Sequence, residues 1–339
     1  MTKKIWTCAI LLILSFLIAS NFLKPSPSGD RTSPARATIT LGYSNWPGWW
    51  LWEIAKEEGL FTKNGLDVRL KWFDSYSDSL VALEAGAIDA NCQTLNDTIA
   101  KTESAINDEV IVLVNDNSAG NDKIIVAEDI DSIEELQGRQ VALEEGVVDD
   151  FLLTLALEKH QMSRDDVEVV NLETGAAVAA FYQEKVDAVG AFPPFWLKAL
   201  KREGSKELVS SLEFPGAIAD VLVVTQKMID EQPDRVRALV DTWFDILRFM
   251  KQNPERWVEI VTNFVGITRE ELELFGSGVK LFDLEDNQLA FSKGDEMKNL
   301  NYASQKIVEF YQKEFDVLEE KPNLDNLINS TFISLDIEN

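Results

Sequence analysis

The sequence holds one histidine, His160, and two cysteines, Cys8 and Cys92, in 339 residues. A single imidazole removes most metal-hydrolase and Ser–His–Asp arrangements, which draw on histidine as ligand or base. Cys8 sits in an N-terminal apolar run. Cys92 is then alone, so no intramolecular disulfide framework is expected, and a lone thiol far from any histidine reads as a small buried residue. Positive charge is scarce too: 32 Lys and Arg stand against 58 Asp and Glu, a formal charge of −26. That balance excludes a nucleic-acid partner, which needs a basic footprint, and disfavours adhesion to anionic lipid. No cofactor or metal motif is found, and no catalytic set is assigned.

What is present is ordinary globular material, 45% hydrophobic and 27% charged, with length for about two domains. Lys3 and Lys4 precede an apolar stretch, Ile5–Ile18, shorter than the roughly 20 residues that span a bilayer. Residues 1–23 are therefore expected to be a signal peptide or N-terminal anchor. The Pro-, Ser- and Gly-rich segment at 24–37 is expected to be a flexible linker, with folded chain from Thr38.

From there short apolar runs alternate with helical patterns, implying parallel βαβ units. Strands are expected at Ile39–Tyr43, Leu66–Trp72, Ile88–Cys92 and Val110–Val114, and again at Gln140–Leu143, Val167–Val170, Val186–Ala191 and Ile218–Val224. Beyond that the chain reads as largely helical. Pro233–Met250 is the clearest amphipathic helix, with proline in its first turn.

The informative features lie in the strand-to-helix turns. Ser44-Asn45-Trp46-Pro47-Gly48, Phe73-Asp74-Ser75-Tyr76 and Gln93-Thr94-Leu95-Asn96-Asp97 follow three successive strands. Ligands of open α/β sheets bind at that edge. Trp50 and Trp52 are assigned to the core, and Trp46, Asp74 and Asn96 to a ligand. Asp97, and Ser77 or Asp78, also suit helix N-caps. His160 is placed at a helix end, against terminal carbonyls. Gly146 suits either a ligand cradle or a turn that stabilises the fold.

The segments GYSNWPGWW, IAKEEGLFTKNGLDVRL, FDSYSDSLVALEAGAIDA and QTLNDT resemble bacterial periplasmic substrate-binding proteins of ABC importers. The class is the nitrate/sulfonate/bicarbonate (taurine-like) and thiamine-precursor-binding one. Leu136–Ala142 resembles its second-lobe strand entry, and Phe192-Pro193-Pro194-Phe195 its ligand turn. The resemblance implies an α/β, two-lobed periplasmic-binding-protein fold (type II). Each lobe is a mostly parallel sheet flanked by helices, with a helical C-terminal extension. Lobe one is expected at 38–127 and 217–339, and lobe two at 128–216. It also implies a periplasmic, monomeric receptor that closes on a small-molecule solute and delivers it to an ABC permease and its ATPase at the inner membrane.

The cleft-edge turns hold no Arg or Lys, but carry Asp74, Asp97, Asp116, Glu144, Glu145 and Asp149 beside Trp46, Tyr76 and Phe195. Carboxylates with aromatic faces favour a small nitrogenous cation, guanidinium- or amine-like. The alternatives are an oxyanion (sulfonate or taurine, nitrate, bicarbonate) or a thiamine precursor. The expected ligand-binding residues are Ser44, Asn45, Trp46, Asp74, Tyr76, Asn96, Asp97, Glu145 and Phe195. Two further readings stay open: a lyase on this fold using Asp74 or Glu145, and a sensory domain anchored by Ile5–Ile18.

Overall fold

The computed structural model describes residues 38–102, 104–106, 108–314 and 322–333. The expected signal peptide or anchor, the linker and Cys8 lie outside them. Among the described residues no helix is long and apolar enough to cross a membrane.

Two mixed sheets flanked by helices make up the fold. The first contains β1 (Ile39–Tyr43), β2 (Val68–Trp72), β3 (Ala90–Thr94), β4 (Glu109–Ser118), β10 (Ala219–Thr225) and β11 (Val279–Leu281). Its order is β11-β4-β10-β3-β1-β2. β1 pairs in parallel with β2 and β3, whereas β10 lies antiparallel between β3 and β4. The second contains β5 (Lys123–Val126), β6 (Gln140–Leu143), β7 (Glu168–Asn171), β8 (Ala188–Ala191) and β9 (Lys206–Ser210). Its order is β7-β6-β8-β5-β9, with β6 parallel to β7 and β8, and β5 antiparallel to β8 and β9.

The central strands are apolar because both sheet faces are covered. Every residue of β1, β3, β4 and β10 is buried, as expected for strands packed by helices on both sides. Helix α1 (Trp52–Glu57) covers one face together with α6 (Pro233–Gln252) and α7 (Pro254–Val265). Trp50 and Trp52 are fully buried there, Trp52 stacking on Phe61 with ring centroids 6.0 Å apart. Trp52 Nε1 also donates to Cys92 Sγ at 3.1 Å, so the lone thiol is a core residue.

Between the sheets the chain crosses at Ala119–Asp122 and returns between Ser210 and Ala219. β5 falls inside the segment assigned by sequence to lobe one, yet it is hydrogen-bonded into the second sheet. Gly120, at φ 119, lies in the crossing between β4 and β5. Helix α2 (Tyr76–Glu84) follows β2, α3 (Leu95–Ala100) follows β3, α4 (Val148–Lys159) follows β6 and α5 (Thr174–Tyr182) follows β7. The late helix α8 (Leu300–Glu314) packs on α3 and reaches across to α4, where Phe151 meets Phe310 at 5.2 Å. A second bridge is polar, Ser77 Oγ donating to Glu144 Oε2 at 2.6 Å.

Candidate functional site

Because β3, β1 and β2 are parallel neighbours, their carboxyl ends share one edge, and the turns after them meet the second sheet. There Asn45, Trp46, Trp49, Tyr76, Thr94 and Asp220 face Asp122, Val148 and Phe192 around a small cavity. Its free volume is about 10 Å³, room for one water-sized group. A larger open pocket, about 420 Å³, lies beside the crossing segments against Pro215, Phe282 and Leu300. Its lining is mainly apolar, and its lysines are paired, Lys280 with Asp286 and Lys298 with Glu296. The interlobe cavity is the better candidate site, because polar groups from several elements converge on it.

Each wall has a local cause. Trp46 opens a tight turn whose carbonyl accepts from the N–H groups of Trp49 and Trp50. Its indole N–H donates to Asp116 Oδ1 at 2.8 Å. Gly48 lies over that carboxylate so closely that a Cβ there would sit 1.9 Å from Asp116 Oδ2. Trp49 packs against Trp46 and Tyr76, with ring centroids 6.2 and 5.6 Å away. Tyr76 begins α2 and donates its hydroxyl proton to Asp97 Oδ2 at 2.7 Å while accepting from Thr94 N–H at 2.9 Å.

The electrostatics are one-sided. Asp97, Asp116, Asp122, Asp149 and Asp220 are all buried. Asp116 and Asp220 are cross-strand partners on β4 and β10. Asp149 stands in the first turn of α4, where the absence of a Cβ on Gly190 makes room for it. Four of these acids keep an oxygen with no hydrogen-bond donor among the described residues: Asp116 Oδ2, Asp122 Oδ2, Asp149 Oδ1 and Asp220 Oδ2. Burial drives their protonation equilibria upward. Asp97 is pushed up to about 7 even though Thr94 and Tyr76 donate to it, and Asp122 to about 6. Asp149 is raised by burial and then by the charges of Asp122 and Glu144. Asp220 is raised by burial and by its partner Asp116. Lys123, next to Asp122, turns instead to Glu207 and the Trp196 ring, so no Lys or Arg lines the cavity among the described residues.

Of the residues expected from sequence, Asn45, Trp46 and Tyr76 line the cavity. Ser44 is buried beside them with its hydroxyl unpartnered, and Asp97 lies behind Tyr76. The others lie elsewhere. Asp74 is exposed and accepts from Trp72 Nε1 at 2.8 Å. Asn96 is buried towards α8, its amide 3.4 Å from Tyr311 Oη. Glu145 is exposed and pairs with Arg164 at 2.9 Å, and Phe195 packs edge-on against Phe192. The helix caps are also different from those expected: Ser75 and Thr94 accept from the N–H groups of Asp78 and Asp97. His160 does end α4, but its ring meets Glu134 at 2.8 Å, not the terminal carbonyls. Gly146 takes a left-handed turn and donates to Asp150, which favours its structural reading.

Asp122, Asp220 and Trp49 were missing from the expected set, and Phe192 was named only as part of its turn. A signal was present in the sequence: Asp220 interrupts the apolar run of β10, and the polar Asn115-Asp116-Asn117 follows that of β4 without ending the strand. A polar residue inside a fully buried strand needs a partner.

The family model described as NMT1/THI5 like matches residues 52–257. A putative binding protein of Brucella abortus (strain 2308) is 29% identical over 265 residues, 77% of this chain and 80% of that protein. The taurine-binding periplasmic protein of Escherichia coli (strain K12) is 24% identical, covering 64% and 68%. Among solved structures, the alkanesulfonate-binding protein SsuA from Xanthomonas axonopodis pv. citri superposes with a TM-score of 0.70 at 17% identity, covering 87% of this chain and 98% of that one. The desulfurization enzyme DSZB shares the fold at a TM-score of 0.59 and 16% identity, covering 87% and 97%. With the family model spanning more than half of the sequence, the chain belongs to the NMT1/THI5-like family.

Proposed function

We propose that the protein is a periplasmic solute-binding receptor of an ABC-type importer. It captures a small polar solute between its two sheets and presents the closed form to a membrane permease. The observation that carries this reading is the interlobe cavity itself, where turns of both sheets enclose one small space with polar and aromatic walls. The cavity has room for one water-sized group, so a solute enters only as the two walls part, and it then favours closure by touching both walls at once. The Ser77–Glu144 bond ties the two sides together at the rim.

The names of the relatives support a receptor over an enzyme, although DSZB carries a catalytic title on the same fold. They also support the oxyanion alternative, sulfonate or taurine, better than a free guanidinium or amine. Donors for an oxyanion are at hand. Trp49 Nε1 and Ser44 Oγ are buried without a partner, and the N-terminus of α4 has no side-chain cap. Thermal unfolding of the full chain against taurine, alkanesulfonates, nitrate, bicarbonate, guanidinium and thiamine precursors tests the reading. A bound solute raises stability by about 2.7 kcal/mol at a hundredfold excess over Kd. Turnover of any of these compounds, instead of simple stabilisation, would replace the receptor with an enzyme.

A further inference from the structure

We infer that the inner end of the cleft, where Asp122 and Asp220 line the cavity and each hold an unpartnered oxygen, binds a protonated nitrogen group of the solute through its N–H donors. This rests on the receptor reading and assigns the chemistry of one end of the ligand. Buried carboxylate oxygens are not left without donors unless something else supplies them. Four are left on side chains no more than 2% exposed; Asp116 Oδ2 is covered by Gly48 and its carboxyl meets that of Asp220, whereas Asp122 and Asp220 line the cavity.

The acids come from both sides of the cleft. Asp116 and Asp220 belong to the first sheet, Asp122 to the crossing into the second, and Asp149 to the start of α4. Closing the lobes therefore brings like charges together, which opposes closure of the empty protein. A cation reverses the sign of that term, so it binds the closed state in preference to the open one. A metal ion fits less well, because no group of three His, Cys, Asp or Glu side chains able to hold one is found among the described residues. Trp46 and Trp49 line the same cavity and give it aromatic walls, which suit a cation.

An ammonium within an amino-sulfonate and a free guanidinium share this chemistry, and calorimetric titration separates them. The full-length chain and its Asp122→Asn and Asp220→Asn variants are titrated with taurine, guanidinium, ethanesulfonate and nitrate. Taurine, guanidinium or both bind the wild type, and each variant loses about a hundredfold in affinity, the scale of breaking a buried charge pair. Taurine alone marks a zwitterionic solute; guanidinium alone marks a simple cation. Ethanesulfonate or nitrate binding wild type and variants equally overturns the inference and leaves the receptor reading intact. Binding by no member of the panel overturns both. Should Asp220→Asn fail to fold, Asp122→Asn carries the test alone.

Discussion

Replacing Asp122 with asparagine is expected to stabilise the unliganded protein while damaging its site. Burial raises the Asp122 carboxyl from 3.8 to about 6 in the folded chain. Between those values the native state holds a proton that the unfolded chain has released, so wild-type stability falls as pH rises through that window. Above about pH 6 the whole penalty is present: a shift of about 2 units at 1.36 kcal/mol each is about 3 kcal/mol. Asparagine keeps the shape and carries no charge, so it escapes this cost. Its removal also relieves Asp149 and Asp220, both raised by the charge of Asp122. The unfolding midpoint of the variant should therefore exceed that of the wild type at pH 8 by roughly 5–10 °C. Below about pH 3.8 the gap should close, since the wild-type carboxyl is then protonated in both states. Urea or thermal unfolding monitored by circular dichroism at several pH values reads this directly. A variant less stable than wild type at pH 8, or a gap independent of pH, would refute the reasoning.

Three further outcomes follow from the same geometry. Affinity for the nitrogen-bearing solute should fall as pH drops from 8 to 5, because protonation of Asp122 removes charge that holds it; a flat profile in calorimetry counts against the site. Ser77→Ala removes the hydrogen bond to Glu144 across the cleft and should weaken binding about two- to tenfold with little effect on unfolding, the worth of one such bond. Asp74→Asn should leave affinity unchanged in the same titration, because Asp74 is exposed and engaged with Trp72.

The fold was legible where the pattern had a local cause. Ile39–Tyr43 was read with its observed bounds, and Pro233–Met250 within two residues, because a strand buried on both faces and an amphipathic helix each leave a periodic trace. β5, β9 and β11 left none that was recognised. β11 is only three residues long and β5 four, and the Lys-Glu start of β9 (Lys206–Ser210) reads as exposed loop. The candidate cavity was legible only where it coincided with a turn after a parallel strand, as at Asn45, Trp46 and Tyr76. Asp122 and Asp220 were missed because their role depends on two strands, β5 and β10, whose pairing partners lie far away in sequence. Conversely, Asp74 and Glu145 sit in turns of the right kind but point to Trp72 and Arg164, a choice made by neighbours that spacing does not reveal.

The most direct measurement is a crystal structure of the full chain with the solute that stabilises it most. The account requires that solute between the two sheets, against Trp49 and Phe192, with a nitrogen within hydrogen-bond distance of Asp122 or Asp220. A solute seated instead in the larger pocket beside Pro215 and Phe282, with the carboxylates of the interlobe cavity untouched, would contradict it.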